Sequence, residues 1–169
     1  MAARLVTLAC VALAGALAAP ALGAREAASP CSSGNTASTA SYRFAASIGH
    51  QEEMYTSSEV KARHIKKGEI MLGGDMTMVD RTPGTKVFHL EIHICTPSGA
   101  VVTGLKPVIT VQPAGAKASA LPSAIMVGIG EPISDYHYGN DLALKPGAAV
   151  SVKVAVKGQT AVLHVTAPK

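Results

Sequence analysis

Residues 88–95 alternate between apolar and polar side chains, and this period of two restricts the segment to a half-buried β-strand. Its four apolar residues would face a core, while the opposite face would carry His89, Glu91 and His93. Imidazole and carboxylate groups are common metal ligands, so the strand predicts a candidate metal site as well as a core surface. A polar face that simply meets solvent is the alternative interpretation.

Strand geometry limits how many of these side chains can share one ion. A strand rises about 3.3 Å per residue, so His89 and His93 leave the backbone roughly 13 Å apart. Zinc–nitrogen bonds are only about 2.0–2.1 Å long, and a regular strand therefore cannot bring all three side chains to one metal. A neighbouring pair can bind, either His89 with Glu91 or Glu91 with His93.

Short apolar or alternating runs recur along the chain and are separated by Gly and Pro turn signals. The runs are 42–48, 69–72, 107–111, 120–129, 150–156 and 161–165. The segment 49–68 differs, because Thr56 and Glu59 form a capping-box pattern that predicts one short helix in a long loop. Residues 130–140 are predicted to be a loop. The pattern predicts an all-β fold, an antiparallel immunoglobulin-like β-sandwich of about seven strands.

The N-terminal residues have the pattern of an export signal. Arg4 precedes an apolar run at 5–19, and small residues follow, which predicts a signal peptide at 1–24. Residues 25–40 are rich in Ala, Ser, Thr and Gly and are predicted to form a flexible arm, and residues 41–169 the β-sandwich domain. We therefore expect an exported protein, periplasmic or extracellular.

Two cysteines would remain after removal of the signal segment, which contains Cys10. A disulfide between Cys31 and Cys95 would attach the arm to the strand at 88–95 in an oxidising compartment. Two free thiols or an intermolecular bond are the alternatives.

Composition and motifs argue against two broad classes of function. The net charge is +4, but the chain has no Trp and only two Phe for base stacking, so a nucleic-acid partner is not expected. No nucleophile elbow, Gly-rich phosphate loop or HExxH motif is present, and we predict that the protein is not an enzyme.

Three motifs together resemble the periplasmic iron-transport accessory family: His-x-Glu at 89–91 in a strand, Met126 in a later apolar strand, and His-Tyr-Gly at 137–139. Members of that family are exported sandwich proteins that bind copper or iron beside an iron permease, usually near a homodimer interface. The resemblance implies the metal ligands His89, Glu91, Met126 and His137. His93 is a further candidate that would flank them.

This chain departs from the family pattern at two places. The interval between Met126 and His137 is longer, and the family's downstream His-rich segment has no counterpart. The expected function is an exported protein that buffers a copper or iron ion or delivers it to a membrane permease, with a homodimer as the implied assembly. The alternative is a structural or interaction domain of the cell envelope that binds no metal.

Overall fold

The computed structural model describes residues 28–32 and 34–169, so the predicted signal peptide at 1–24 lies outside the described residues. The described chain is mostly β with a single α-helix, which confirms the prediction at that level. The strands are Asn35–Ser38 (β1), Arg43–His50 (β2), Met54–Thr56 (β3), Glu69–Gly73 (β4), Lys86–Cys95 (β5), Val108–Pro113 (β6), Ser119–Leu121 (β7), Ala124–Gly128 (β8), His137–Leu144 (β9), Ala149–Val156 (β10) and Gln159–Thr166 (β11). The helix is Ser57–Arg63 (α1), and 3-10 turns occupy Pro30–Ser32 and Ile133–Asp135.

The strands form two sheets that share one hydrophobic core. The larger sheet has seven strands in the order β1-β2-β5-β9-β8-β4-β3, and the smaller has four in the order β11-β10-β6-β7. Leu90 and Tyr138 from the larger sheet are buried in the same cluster as Val152 and Leu163 from the smaller one. Burial of one such aliphatic side chain stabilises the fold by about 1.5–3 kcal/mol.

Strand β5 has the alternation that the sequence predicts for residues 88–95. Its four apolar side chains are between 0% and 1% exposed and face the shared core. On either side it pairs antiparallel with β2 and β9, so it lies inside the larger sheet rather than at an edge. The opposite face, which we call the outer face, carries His89, Glu91 and His93.

Helix α1 confirms the prediction from its capping box. The Thr56 side chain accepts a hydrogen bond from the Glu59 amide, and the Glu59 carboxylate accepts one from the Thr56 amide. An N-cap of this kind is worth about 1 kcal/mol. The helix ends at His64 in the left-handed conformation. Within the described ranges, no helix is long and apolar enough to cross a membrane.

The strand count and one strand pairing differ from the prediction. The described chain has eleven strands instead of about seven, and β3 pairs with β4 in parallel rather than antiparallel. Two of the additional strands, β3 and β7, have only three residues each. Runs this short are below the length at which an alternating pattern can be recognised.

The prediction of a loop at 130–140 is wrong for residues 137–140, because His137 begins β9. This strand lies between β5 and β8. Polar residues interrupt the apolar pattern of β9, yet they are buried because each finds a partner. The Asn140 side chain, for example, accepts a hydrogen bond from the Thr77 amide and donates one to the Asp75 carbonyl. Such partners come from distant segments and leave no local signal.

Part of the segment assigned to a flexible arm is a strand. Residues of β1 pair antiparallel with β2, from Asn35 opposite Ala46 to Ser38 opposite Arg43. Its small polar side chains are largely exposed, so backbone hydrogen bonds rather than an apolar face hold it. Cys31 and Cys95 form a disulfide that attaches the preceding residues to the end of β5.

Candidate metal site

The outer face of the larger sheet brings together potential metal ligands from four neighbouring strands. Partners directly opposite each other on paired strands point to the same side of a sheet. His89 on β5 is opposite Asp141 on β9, and Met126 on β8 is opposite His137 on β9. Glu69 on β4 lies on the same side, two residues before the partner of Met126.

Glu69, His89 and His137 form a compact group that we call the buried cluster. Each contributes one ligand atom, and these atoms all lie within 4.8 Å of one another. The Glu69 carboxylate oxygens lie 3.5 Å from Nε2 of His89 and 3.0 Å from Nε2 of His137. No residue of the cluster is more than 3% exposed.

Three polar atoms of the buried cluster have no hydrogen-bond partner among the described residues: Oε2 of Glu69 and Nε2 of each histidine. The 3.0 Å contact between Nε2 of His137 and the Glu69 carboxylate is an ion pair when His137 is protonated. An unpaired buried polar group costs about 1–3 kcal/mol. A cation held among these atoms would satisfy all three.

The other ring nitrogen of each clustered histidine is already hydrogen-bonded. Nδ1 of His89 lies 3.0 Å from the Asp141 carboxylate, and Nδ1 of His137 lies 2.6 Å from the Asp135 carbonyl oxygen. A carbonyl oxygen can only accept, so Nδ1 of His137 carries a proton. Nε2 is therefore the nitrogen that each ring can offer to a metal.

The Glu69 carboxylate favours a positive charge within the buried cluster. Near neutral pH that charge is the Nε2 proton of His137, which a metal ion would have to replace. Burial opposes protonation of His137, but the Glu69 carboxylate and the Asp135 carbonyl outweigh it and raise the pKa of His137 to about 9. Burial, together with the carboxylates of Glu69 and Glu91, also raises the pKa of Glu52. Carboxyl groups crowded in this way gain from a shared positive ion.

A cleft of about 360 Å³ adjoins the buried cluster, and both Glu69 and His137 form part of its wall. The acidic side chains of Glu52, Glu91, Glu131 and Asp135 also line it, and they outnumber the two basic ones, Lys66 and Lys67. The cluster is thus buried but not sealed. An ion could approach it past carboxylates.

The predicted ligands fall into three groups. His89 and His137 belong to the buried cluster, and Met126 is fully buried directly opposite His137, outside the core shared by the two sheets. Glu91 is not part of the buried cluster. Its carboxylate accepts a hydrogen bond from the Ser47 hydroxyl, and the residue lines the adjoining cleft.

His93 stays outside the buried cluster and contacts one member of it. Its ring packs edge-on against that of His137 with 5.7 Å between ring centroids. Nδ1 of His93 donates to the carbonyl oxygen of Tyr136 at 3.1 Å. Burial, and next the nearby His137, lower the pKa of His93, so it is a neutral neighbour of the site.

The sequence pattern indicates neither Glu69 nor Asp141 as a site residue. Glu69 begins a predicted strand, and a carboxylate two positions before Met71 on the same face is only a weak ligand signal. Asp141 lies on β9, a strand that the sequence pattern does not predict. Neither could be placed beside His89 without the strand order of the larger sheet.

Comparison of this chain with protein-family models, curated proteins and solved structures gave no match. The resemblance to iron-transport accessory proteins therefore stays a prediction.

Proposed function

We propose that this protein is an exported metal-binding protein that holds a copper or iron ion at Glu69, His89 and His137. The observation that carries the proposal is the meeting of three buried ligand atoms that have no hydrogen-bond partner. Native proteins rarely leave buried polar atoms unpaired without a functional reason.

The spacing of the ligand atoms is compatible with a shared metal ion. In a tetrahedral site with metal–ligand bonds near 2.1 Å, neighbouring ligand atoms are about 3.4 Å apart. One Glu69 oxygen lies 3.5 Å from Nε2 of His89, the other lies 3.0 Å from Nε2 of His137, and one ligand atom from each residue lies within 4.8 Å of the other two. The three side chains are therefore close enough to bind one ion.

The ligand types favour a transition metal. Two imidazoles with one carboxylate suit Fe(II), Cu(II) and Zn(II), whereas Ca²⁺ and Mg²⁺ prefer oxygen ligands. Met126 lies opposite His137, and Met71 lies opposite Met126 on the same outer face. Thioethers beside the cluster favour copper, so a site of mixed ligands could hold either copper or iron.

Delivery rather than permanent retention is supported by the adjoining cleft. A structural metal site is closed by its four protein ligands, whereas this cluster supplies three and faces a cleft. The acidic wall could receive an ion on entry and release. A membrane permease as recipient and a homodimer as the assembly follow only from the family resemblance and are part of the proposal.

Export and the finer fold class are also proposed. A disulfide between Cys31 and Cys95 suits an oxidising compartment, which supports export. Two sheets with alternating inward-facing residues around one core support an immunoglobulin-like sandwich.

Titration of the purified protein with Cu(II), and with Fe(II) under anaerobic conditions, tests the site. We expect one tight ion per chain for the wild type. The His89→Ala, His137→Ala double variant should bind more than about 100-fold more weakly, since loss of even a residue behind a ligand costs 10–100-fold.

The matched control is the His50→Ala, His164→Ala double variant, which removes two exposed histidines and should bind like the wild type. Glu69→Gln provides a second test that retains both rings and should also weaken binding. Equal stoichiometry and affinity in all variants would rule out the proposed site and leave the non-metal domain as the better account.

A further inference from the structure

Asp141 is buried next to Nδ1 of His89, the ring nitrogen that does not point to the buried cluster's Glu69. It lies on β9 directly opposite His89 on β5 and is 5% exposed. One carboxylate oxygen, Oδ1, is 3.0 Å from Nδ1 of His89. The other oxygen, Oδ2, accepts a hydrogen bond from the Gln51 side-chain amide at 3.0 Å. Both oxygens thus have partners, and Asp141 is not a member of the buried cluster.

We propose that Asp141 is a positioning residue that fixes the tautomer and ring orientation of His89, an inference that rests on the proposed metal site. A neutral imidazole carries its proton on either nitrogen, and only the unprotonated nitrogen binds a metal. An ionised carboxylate is an acceptor only, so its partner Nδ1 holds the proton. Nε2 is then left unprotonated within the buried cluster, 3.5 Å from a Glu69 oxygen.

The direction of the hydrogen bonds behind Asp141 supports this role. Gln51 donates from Nε2 to Asp141, and its Oε1 lies 3.5 Å from the Arg81 guanidinium, which can only donate. This long, exposed contact only favours the observed orientation of the Gln51 amide, and the Gln51 amide in turn holds the Asp141 carboxylate. Gln51 also directly precedes Glu52, a residue of the cleft wall, so the same contact holds that edge of the cleft.

The alternative is that the contact between Asp141 and His89 only stabilises the fold. A metal-binding measurement distinguishes that role from positioning of the His89 ring. With Zn(II) as a diamagnetic probe, Asp141→Ala should lower affinity by about 10–100-fold, the range typical for residues that orient metal-binding histidines. Asp141→Asn should stay within a few-fold of the wild type, because the Gln51 amide can turn over and leave the Asn oxygen facing His89. Asp80→Ala removes an exposed acid that is not a member of the buried cluster; it is the control and should bind like the wild type.

Nuclear magnetic resonance of the histidine rings supplies the readout that loss of stability would not change. In the Zn(II)-loaded wild type, Nδ1 of His89 should carry a slowly exchanging proton, and Asp141→Ala should lose it. The corresponding proton of His137, which is bonded to the Asp135 carbonyl, should persist in both proteins and serves as an internal reference.

Three results would overturn the inference. One is Asp141→Ala with unchanged Zn(II) affinity, and another is equal loss in Asp141→Ala and Asp141→Asn with the His89 proton intact. If the wild type binds no Zn(II), the proposed function loses its support separately. In that case the same resonance measurement on the metal-free wild-type protein tests the positioning role. Absence of a proton on Nδ1 of His89 there would be the third result that overturns the inference.

Discussion

Gly139→Ala is expected to destabilise the protein by about 4 kcal/mol or more, a range reserved for severe steric or core defects. Gly139 lies on β9 opposite Glu91 on β5. A methyl group there would overlap the carbonyl oxygen of Leu90 and lie 2.8 Å from its carbonyl carbon. Backbone atoms of an inner strand cannot move aside, so β5 and β9 would have to separate. Urea unfolding, monitored by circular dichroism, measures the loss.

Gly49→Ala is the matched control for that substitution. Gly49 is on β2, on the other side of β5, and opposite His89 on the same outer face. The nearest atom to a methyl group there is a Glu91 carboxylate oxygen at 4.0 Å, so no clash arises. We expect a change within about 0.5 kcal/mol. Equal stability of the two variants would contradict the close approach of β5 and β9.

Replacing both Cys31 and Cys95 with serine should destabilise the protein by about 4 kcal/mol. The disulfide joins residues 64 positions apart, and loop-closure entropy predicts a cost of that size for a loop this long. Cys95 is fully buried at the end of β5, so the added hydroxyl group would increase the loss. Chemical unfolding of the double variant measures the effect.

Wild-type protein unfolded in the presence of a reducing agent is the control for the disulfide. It should lose nearly as much stability as the double serine variant, because both lack the same covalent link. A midpoint unchanged by reduction would mean that Cys31 and the strand β1 do not depend on the tether.

Features that are determined by residues close together in the sequence could be predicted. Helix α1 follows from Thr56 and Glu59, three positions apart, whose reciprocal hydrogen bonds require no distant residue. The alternating runs at 150–156 and 161–165 predict two strands, and these form the hairpin of β10 and β11 across a two-residue turn at Lys157 and Gly158, which both have positive φ. In each case the information lies within a few residues.

Strand β9 and the site could be predicted only in part, because their stability comes from distant partners. His137 stays buried beside Glu69, and Asp141 beside His89, although such residues interrupt an apolar pattern. His89 was a candidate from the alternation of its strand, whereas His137 entered the ligand set through the family resemblance. Glu69 required the order β5-β9-β8-β4, which sequence spacing does not determine.

Anomalous diffraction from crystals of the copper-loaded protein, recorded at the copper absorption edge, tests the central claim most directly. The account predicts one strong peak per chain about 2.0–2.2 Å from Nε2 of His89 and of His137, with a Glu69 oxygen as a further ligand. Met126 is the side chain expected to lie nearest among the remaining candidates. A peak only at exposed histidines such as His50 or His64, with the buried cluster unchanged, would contradict the account.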